Sequence, residues 1–274
     1  MILSAPAKLN LCLFVGPPRD DGLHEIRSLF EPISLADQLE VTEAPRDQVV
    51  CPEVGGKNLA AAALEALRER GWEHPPVRVE ISKRIPVAGG LGGGSADAAA
   101  VLRLAEGEVE GIEEAAAELG ADVPSQLRPA FSLVGGAGEQ VEVLPPPGEH
   151  AIVLLLDSQG LSTADVYAEA DHIGLGREAS QLEQLEQRLR DAVTAGASPL
   201  DYTQLLVNDL EPAALALRPR IGDSLEALRA AGAVRALISG SGPTAFGLFA
   251  DRESAEAAAS ELGPAAIVCT PEAP

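Results

Sequence analysis

Between residues 85 and 97 the chain reads Ile85-Pro86-Val87-Ala88-Gly89-Gly90-Leu91-Gly92-Gly93-Gly94-Ser95-Ala96-Asp97. Five of the six residues from 89 to 94 are glycine, a run that packs nothing and costs backbone entropy. What it offers is backbone N–H groups in conformations other residues resist, and a surface bare enough for a ligand to touch. Upstream, Val77-Arg78-Val79-Glu80-Ile81 alternates as a strand does. Downstream, residues 96–106 read as an alanine-rich helix, with Ser95 expected as its N-cap and Asp97 in its first turn. A glycine loop opening onto a helix N-terminus is an anion site, because unpaired N–H groups and the positive end of the helix dipole converge there. A hairpin or a close helix–strand crossing would use the glycines without a ligand, but phosphate binding accounts for more of the stretch. Two familiar phosphate loops are excluded: there is no Gly-x-x-x-x-Gly-Lys-Ser/Thr, and the spacing fails Gly-x-Gly-x-x-Gly.

Composition narrows the partners. The formal net charge is −22, a surface that repels nucleic acid and anionic membranes. It repels phosphorylated ligands too, so any Lys or Arg beside the glycine loop is more informative than usual. With 46% hydrophobic but only 3% aromatic residues, the core must be built from Ala, Leu and Val. The 274 residues suffice for one large domain or two modest ones. Cys12, Cys51 and Cys269 are widely spaced, which suggests neither a disulfide framework nor a zinc site. No apolar run approaches membrane-spanning length and the N-terminus lacks a signal-peptide pattern, so a cytoplasmic protein is expected.

Along the chain, Leu9, Leu11, Leu13 and Val15 alternate with Lys8, Asn10, Cys12 and Phe14, a strand that points Lys8 and Asn10 to one face. On spacing alone such a lysine is a solvated edge charge. A turn at residues 17–22 precedes Leu23-His24-Glu25-Ile26, and residues 35–41 suggest a second strand. Asn58 opens a helix over residues 59–70 closed by Gly71. A short helix over 112–119 ends at Gly120, leaving Asp122 of Gly120-Ala121-Asp122-Val123-Pro124 on irregular backbone, where an aspartate is usually a turn former. Leu144-Pro145-Pro146-Pro147-Gly148 is the clearest punctuation, and places a domain boundary between residues 1–148 and 149–274. The second half holds an apolar strand at 151–156, then Gly160-Leu161-Ser162-Thr163-Ala164-Asp165-Val166-Tyr167. A helix follows at 181–193, then Asn208-Asp209-Leu210-Glu211, a helix within residues 217–232 that ends at glycine, and a second glycine loop within residues 237–246.

These stretches, in this order, resemble the GHMP kinases. Pro-Ala-Lys-x-Asn-Leu at residues 6–11, the loop at 86–97, Gly-Ala-Asp-Val-Pro at 120–124 and Ser239-Gly240-Ser241-Gly242 are similar to that superfamily's motifs. Arg19 to Phe30 and Gly160 to Tyr167 look like the segments of one branch, the kinases of 4-diphosphocytidyl-2-C-methyl-D-erythritol. The resemblance implies an α+β, two-domain GHMP kinase fold with its active site in the cleft between the domains. It implies ATP as donor, with Mg²⁺, held by the loop from Pro86 to Ala96 and by Asn58 near the adenine, although an N-cap asparagine reads equally well there. Lys8 and Asp122 would be catalytic: Asp122 takes or orients the substrate hydroxyl, and Lys8 stabilises the charge that develops between donor and acceptor. Asn10, Leu23, His24, Thr163, Gly240, Ser241 and Gly242 would contact the substrate, with His24 at the cytosine. No metal ligand follows directly, Ser95 being the one candidate.

The implied reaction gives the 2-phosphate of that cytidine diphosphate-linked polyol, in the non-mevalonate route to isoprenoid precursors, with no obligate protein partner. Two other readings stay open: a different GHMP small-molecule kinase, or a non-catalytic nucleotide-binding regulator. His24 with Gly160 to Thr163 argues against the first, and intact Lys8 and Asp122 against the second. Two positions depart from the branch: Leu23 stands where it has tyrosine, and Ser125-Gln126 where an aromatic pair is common. Gly93→Val is expected to weaken ATP binding with little change in fold.

Overall fold

The computed structural model describes residues 1–56, 58–157 and 159–272. The first half forms a sheet of β1 (Ile2–Pro18), β2 (His24–Glu43), β3 (Gln48–Val50), β4 (Val77–Ser82), β5 (Ser132–Gly135) and β6 (Gln140–Val143), covered by α1 (Leu59–Glu69), α2 (Gly93–Leu102), α3 (Ile112–Leu119) and α4 (Val123–Leu127). The second half forms a sheet in the order β10-β7-β9-β8, from β7 (Ala151–Leu155), β8 (Arg235–Ile238), β9 (Ala245–Phe249) and β10 (Ala266–Cys269). The same half holds α5 (Thr163–His172), α6 (Ala179–Ala192), which packs against β1 and β2, α7 (Glu211–Leu217), α8 (Arg220–Ala230) and α9 (Arg252–Leu262). Among the described residues no helix is long and apolar enough to cross a membrane.

β1 and β2 are a long antiparallel pair, Ile2 opposite Glu40 and Pro18 opposite His24, with irregularities at Pro6/Ala7 and Asn10/Cys12. Residues 24–43 are one strand, where the pattern suggested a separate strand over 35–41. One edge of β2 is filled by β1; the other pairs with β5 at Ser28–Phe30 and with β4 at Gln38–Glu43. The alternation along β1 does not mark a solvated face, for everything from Ala5 to Gly16 is buried. Its free edge explains why. Lys8 N–H donates to Leu91 O at 3.0 Å, and Leu13 N–H donates to Val207 O at 2.8 Å, so the glycine loop and a segment of the second half both close over it.

Aromatic scarcity is resolved as expected. α2 packs on β1 and β2, and α1 and α3 pack on α2, in a core that holds Ala60, Ala63, Ala98, Ala99, Ala115 and Ala116, whose small side chains let helices approach closely. α2 is apolar all round and buried from Ala96 to Leu102, the signature of a central helix. A separate core runs between the sheets, joining Leu9, Leu11 and Leu29 to Ile152, Leu154 and Phe246. The chain after β10 returns to β2, where Ser34 N–H donates to Thr270 O at 3.0 Å and Glu272 N–H to Pro32 O at 2.8 Å.

Three expectations need correction. α2 begins at Gly93 rather than Ala96, because Gly92, at φ 70°, makes the left-handed turn that lets the helix start directly behind it. Ser95 is therefore inside the helix and caps nothing, and Asp97 is buried instead of lying in the first turn. The helix expected within residues 217–232 is α8, which starts behind Pro219 and stops short of Gly232.

Candidate active site

A cleft of about 860 Å³ opens where the two sheets meet, lined from both halves of the chain. One wall is the glycine loop. Gly90 and Gly92 have φ of 78° and 70°. A Cβ on Gly90 would stand 2.2 Å from Ser239 O, so only glycine fits against the second glycine loop. That loop is tied to the first by Ser239 Oγ–H donating to Gly90 O at 2.9 Å and by Thr244 N–H donating to Gly89 O at 3.3 Å. Asn208 clamps it from behind, donating to Ile238 O at 2.9 Å and to Gly240 O at 2.8 Å. The wall therefore presents the first N–H groups of α2, those of Gly93, Gly94 and Ser95, which have no partner within the helix.

Every residue of the loop from Pro86 to Ser95 lies on the cleft wall, as does Asn58. Ala96 lies behind it, in the alanine core. Asn58 is the N-cap of α1, its Oδ1 accepting from Ala60 N–H at 2.8 Å. Gly93→Val is not the clean probe the sequence suggests. A Cβ there would stand 2.8 Å from Ile85 Cγ2, a side chain that is fully buried, so the fold would feel it. At Gly94 the nearest atom is Leu59 Cδ1 at 3.7 Å, and a methyl group has room.

Lys8 stands directly beside the glycine loop, its side chain lying against Gly92. Its Nζ lies 3.2 Å from Asp122 Oδ2, donates to Asn10 Oδ1 at 2.5 Å, and sits 4.4 Å from the centre of the Phe30 ring. Asn10 Nδ2 donates in turn to Ser28 Oγ at 2.9 Å, so Asn10 orients the lysine. The Lys8 side chain is 6% exposed and that of Asp122 is 31%: the ammonium is held from below and the carboxylate faces the opening. Asp122 occupies the N-cap position of α4 without capping it, so its side chain is free for the cleft. Ser125, at one of the departing positions, donates through Oγ to Asp122 O at 2.8 Å and steadies its backbone. Gln126 is buried against Gly92.

At the far end stand Leu23, His24 and the face of α5 that carries Thr163, Tyr167 and Asp171. Their spacing of four puts them on one side of the helix. Thr163 Oγ is 3.0 Å from Ser241 Oγ. The His24 and Tyr167 rings are 5.1 Å apart and tilted by 34°. His24 Nε2 is 2.9 Å from Asp171 Oδ1. Burial pushes the Tyr167 phenol up, so it stays neutral. Gly240 and Ser241 reach the wall, whereas Gly242, at φ 75°, turns the chain behind it and donates to Ser239 O.

Lys83, Tyr167 and Asp171 on this wall were not among the expected site residues. Lys83 bridges Asp37 and Asp97, its Nζ 2.8 Å from Asp97 Oδ2, and burial pushes the Asp97 carboxyl up to about 7 against the pull of that lysine. Lys83 precedes the loop by three residues and was legible as a cation beside it. Tyr167 closes a quoted motif. Asp171 left no signal, because only the tertiary fold carries α5 past His24. Among the described residues no cluster of three metal-ligating side chains occurs, and the three cysteines are free.

The models of the GHMP kinases N terminal domain and of the GHMP kinases C terminal match residues 58–128 and 178–267. The chain is 41% identical to the 4-diphosphocytidyl-2-C-methyl-D-erythritol kinase of Thermobifida fusca, over 94% of this chain and 89% of that one. It is 40% identical to the enzyme of the same name from Streptomyces coelicolor, over 94% and 90%. A crystal structure of 4-(cytidine 5'-diphospho)-2C-methyl-D-erythritol kinase superposes with a TM-score of 0.78 at 32% identity, over 98% of both chains. The homoserine kinase of Cytophaga hutchinsonii, at 20% identity and a TM-score of 0.71, shares the fold. The chain belongs to the GHMP kinases and, among them, to the 4-diphosphocytidyl-2-C-methyl-D-erythritol kinases.

Proposed function

We propose that this protein transfers the γ-phosphoryl group of ATP to a hydroxyl of 4-diphosphocytidyl-2-C-methyl-D-erythritol, giving the 2-phosphate in the non-mevalonate route to isoprenoid precursors. The observation that carries this is the Lys8–Asp122 pair, 3.2 Å apart and lining the same cleft as the N-terminus of α2. Phosphoryl transfer asks a protein for positioning and for charge stabilisation rather than covalent chemistry. The N–H groups of Gly93, Gly94 and Ser95 hold the phosphates. Asp122 accepts the proton of the attacking hydroxyl, and the ammonium of Lys8 stabilises negative charge passing between acceptor and donor. The cytosine lies beside His24 and Tyr167, and the polyol end points toward Asp122, near Thr163 and Ser241.

Magnesium bound with ATP takes most of its ligands from phosphate and water, and needs only one or two oxygen donors from a protein. Ser95 and Asp122 offer such oxygens on the cleft wall, so the residues present fit the ion. It would neutralise charge on the phosphate oxygens. The proposal includes an ATP-binding domain at residues 1–148 and a second domain at 149–274, supported by the change of sheet across Pro145–Pro147. It also includes a cytoplasmic location, which the free cysteines support.

Asp122→Asn tests the mechanism. It keeps shape and removes the proton acceptor, so turnover drops by about 10²–10⁴-fold with substrate binding retained. Near-normal turnover in a folded Asp122→Asn protein would show the aspartate to be structural.

A further inference from the structure

We infer that Asp171 is a positioning residue that sets the proton on His24 and, through it, the choice of pyrimidine; this rests on the function proposed above. His24 lines the cleft with its side chain 8% exposed, and its Nε2 meets Asp171 Oδ1 at 2.9 Å. An ionised carboxylate only accepts hydrogen bonds, so Nε2 must carry the hydrogen in that contact. In the neutral imidazole the other nitrogen is then a bare lone pair, and Nδ1 becomes an acceptor. Among the described residues Nδ1 has no protein partner, which leaves it for a ligand.

Acceptor polarity separates the two pyrimidines. Cytosine presents an exocyclic amine at the edge where uracil presents a carbonyl oxygen. An Nδ1 lone pair accepts from the amine and opposes the carbonyl. The Asp171 carboxylate, with its side chain 54% exposed, adds a second acceptor to the same end of the cleft. Without Asp171 the imidazole could place its hydrogen on either nitrogen, and an Nδ1–H would suit uracil. The backbone supports this assignment. Thr163, Tyr167 and Asp171 follow one stripe of α5, and Ser162 caps that helix by accepting from Asp165 N–H at 3.3 Å. Tyr167 is packed 5.1 Å from the His24 ring and limits its rotation, so the carboxylate meets an imidazole already held in place.

The test is steady-state kinetics at saturating ATP, with the cytidyl substrate and its uridyl analogue, on the unaltered protein, Asp171→Ala and Asp171→Asn. Asp171→Ala is expected to raise KM for the cytidyl substrate about tenfold, the worth of one good hydrogen bond. The preference over the uridyl analogue narrows with it, while kcat and KM for ATP stay within about twofold. Asp171→Asn retains an oxygen that accepts from Nε2–H and restores most of the loss. An unchanged KM and pyrimidine preference in Asp171→Ala overturns the inference. So does a loss shared by kcat and KM for ATP, which would mark Asp171 as structural support. If the unaltered protein turns over neither compound, the function fails, and the inference with it.

Discussion

Leu23 stands where the resemblance to the cytidyl-erythritol kinases implies a tyrosine. The structure puts it at the mouth of the cleft, half exposed, beside His24. Its exposure means that a tyrosine there meets solvent rather than a packed wall, and Tyr167 already approaches the His24 ring from α5. Leu23→Tyr is therefore expected to tighten the cytidyl substrate by roughly 0.5–1.5 kcal/mol, up to about tenfold, through stacking. ATP affinity should not move, because the α2 N-terminus is a separate part of the cleft. Titration of both proteins with each ligand checks this, and weaker cytidyl binding by the tyrosine variant would mean that the pocket has closed around leucine. Single residues were the most legible scale. Lys8 and Asp122 were singled out as chemistry-bearing side chains of matching motifs and meet at 3.2 Å. Asn10 was legible as a residue but not in its bonds, for nothing in a one-dimensional pattern says that its amide joins Lys8 to Ser28.

At the scale of elements, β2 carries an ion pair that the sequence did not disclose. His150, just before β7, places Nε2 3.0 Å from Glu31 Oε2 and Nδ1 2.9 Å from Gly148 O, with both side chains essentially unexposed. Two acceptors facing the two ring nitrogens call for the doubly protonated ring. Burial works against that charge, but the Glu31 carboxylate outweighs it and leaves the His150 pKa raised. A raised folded pKa means stabilisation that is complete below the unfolded value of about 6.5 and lost as pH rises through the folded value. His150→Ala should cost about 3–5 kcal/mol below pH 6.5, from leaving a buried carboxylate unpaired. Thermal melts of both proteins from about pH 6 to pH 9 are expected to converge as the pH rises. A constant gap would show that the pair carries no linked proton. The pair ties the first sheet to the chain entering the second, a contact between partners 119 positions apart, which local periodicity has no means to register. By the same limit the start of α2 was misplaced, because a glycine's left-handed turn at residue 92 leaves no mark in a run of glycines.

For the whole molecule, the two glycine loops were legible as bare backbone. Their contact itself depends on β8 and β9 delivering Ser239 and Thr244 to Gly89 and Gly90. The order of strands in either sheet was not readable, since long β1 and β2 are buried on faces that alternate in sequence but not in exposure. The family resemblance supplied the cleft, and the cleft explains why a chain of net charge −22 can serve an anionic donor. The α2 N-terminus and Lys8 gather local positive potential inside an acidic surface. The central claim is the reaction, and it is tested most directly by incubating the unaltered protein with ATP and, separately, 4-diphosphocytidyl-2-C-methyl-D-erythritol, homoserine, mevalonate and galactose. ATP consumption and the mass of each product are followed. The account predicts ATP loss with the cytidyl compound alone and a product heavier by one phosphoryl group; phosphorylation of one of the other three in its place would contradict it.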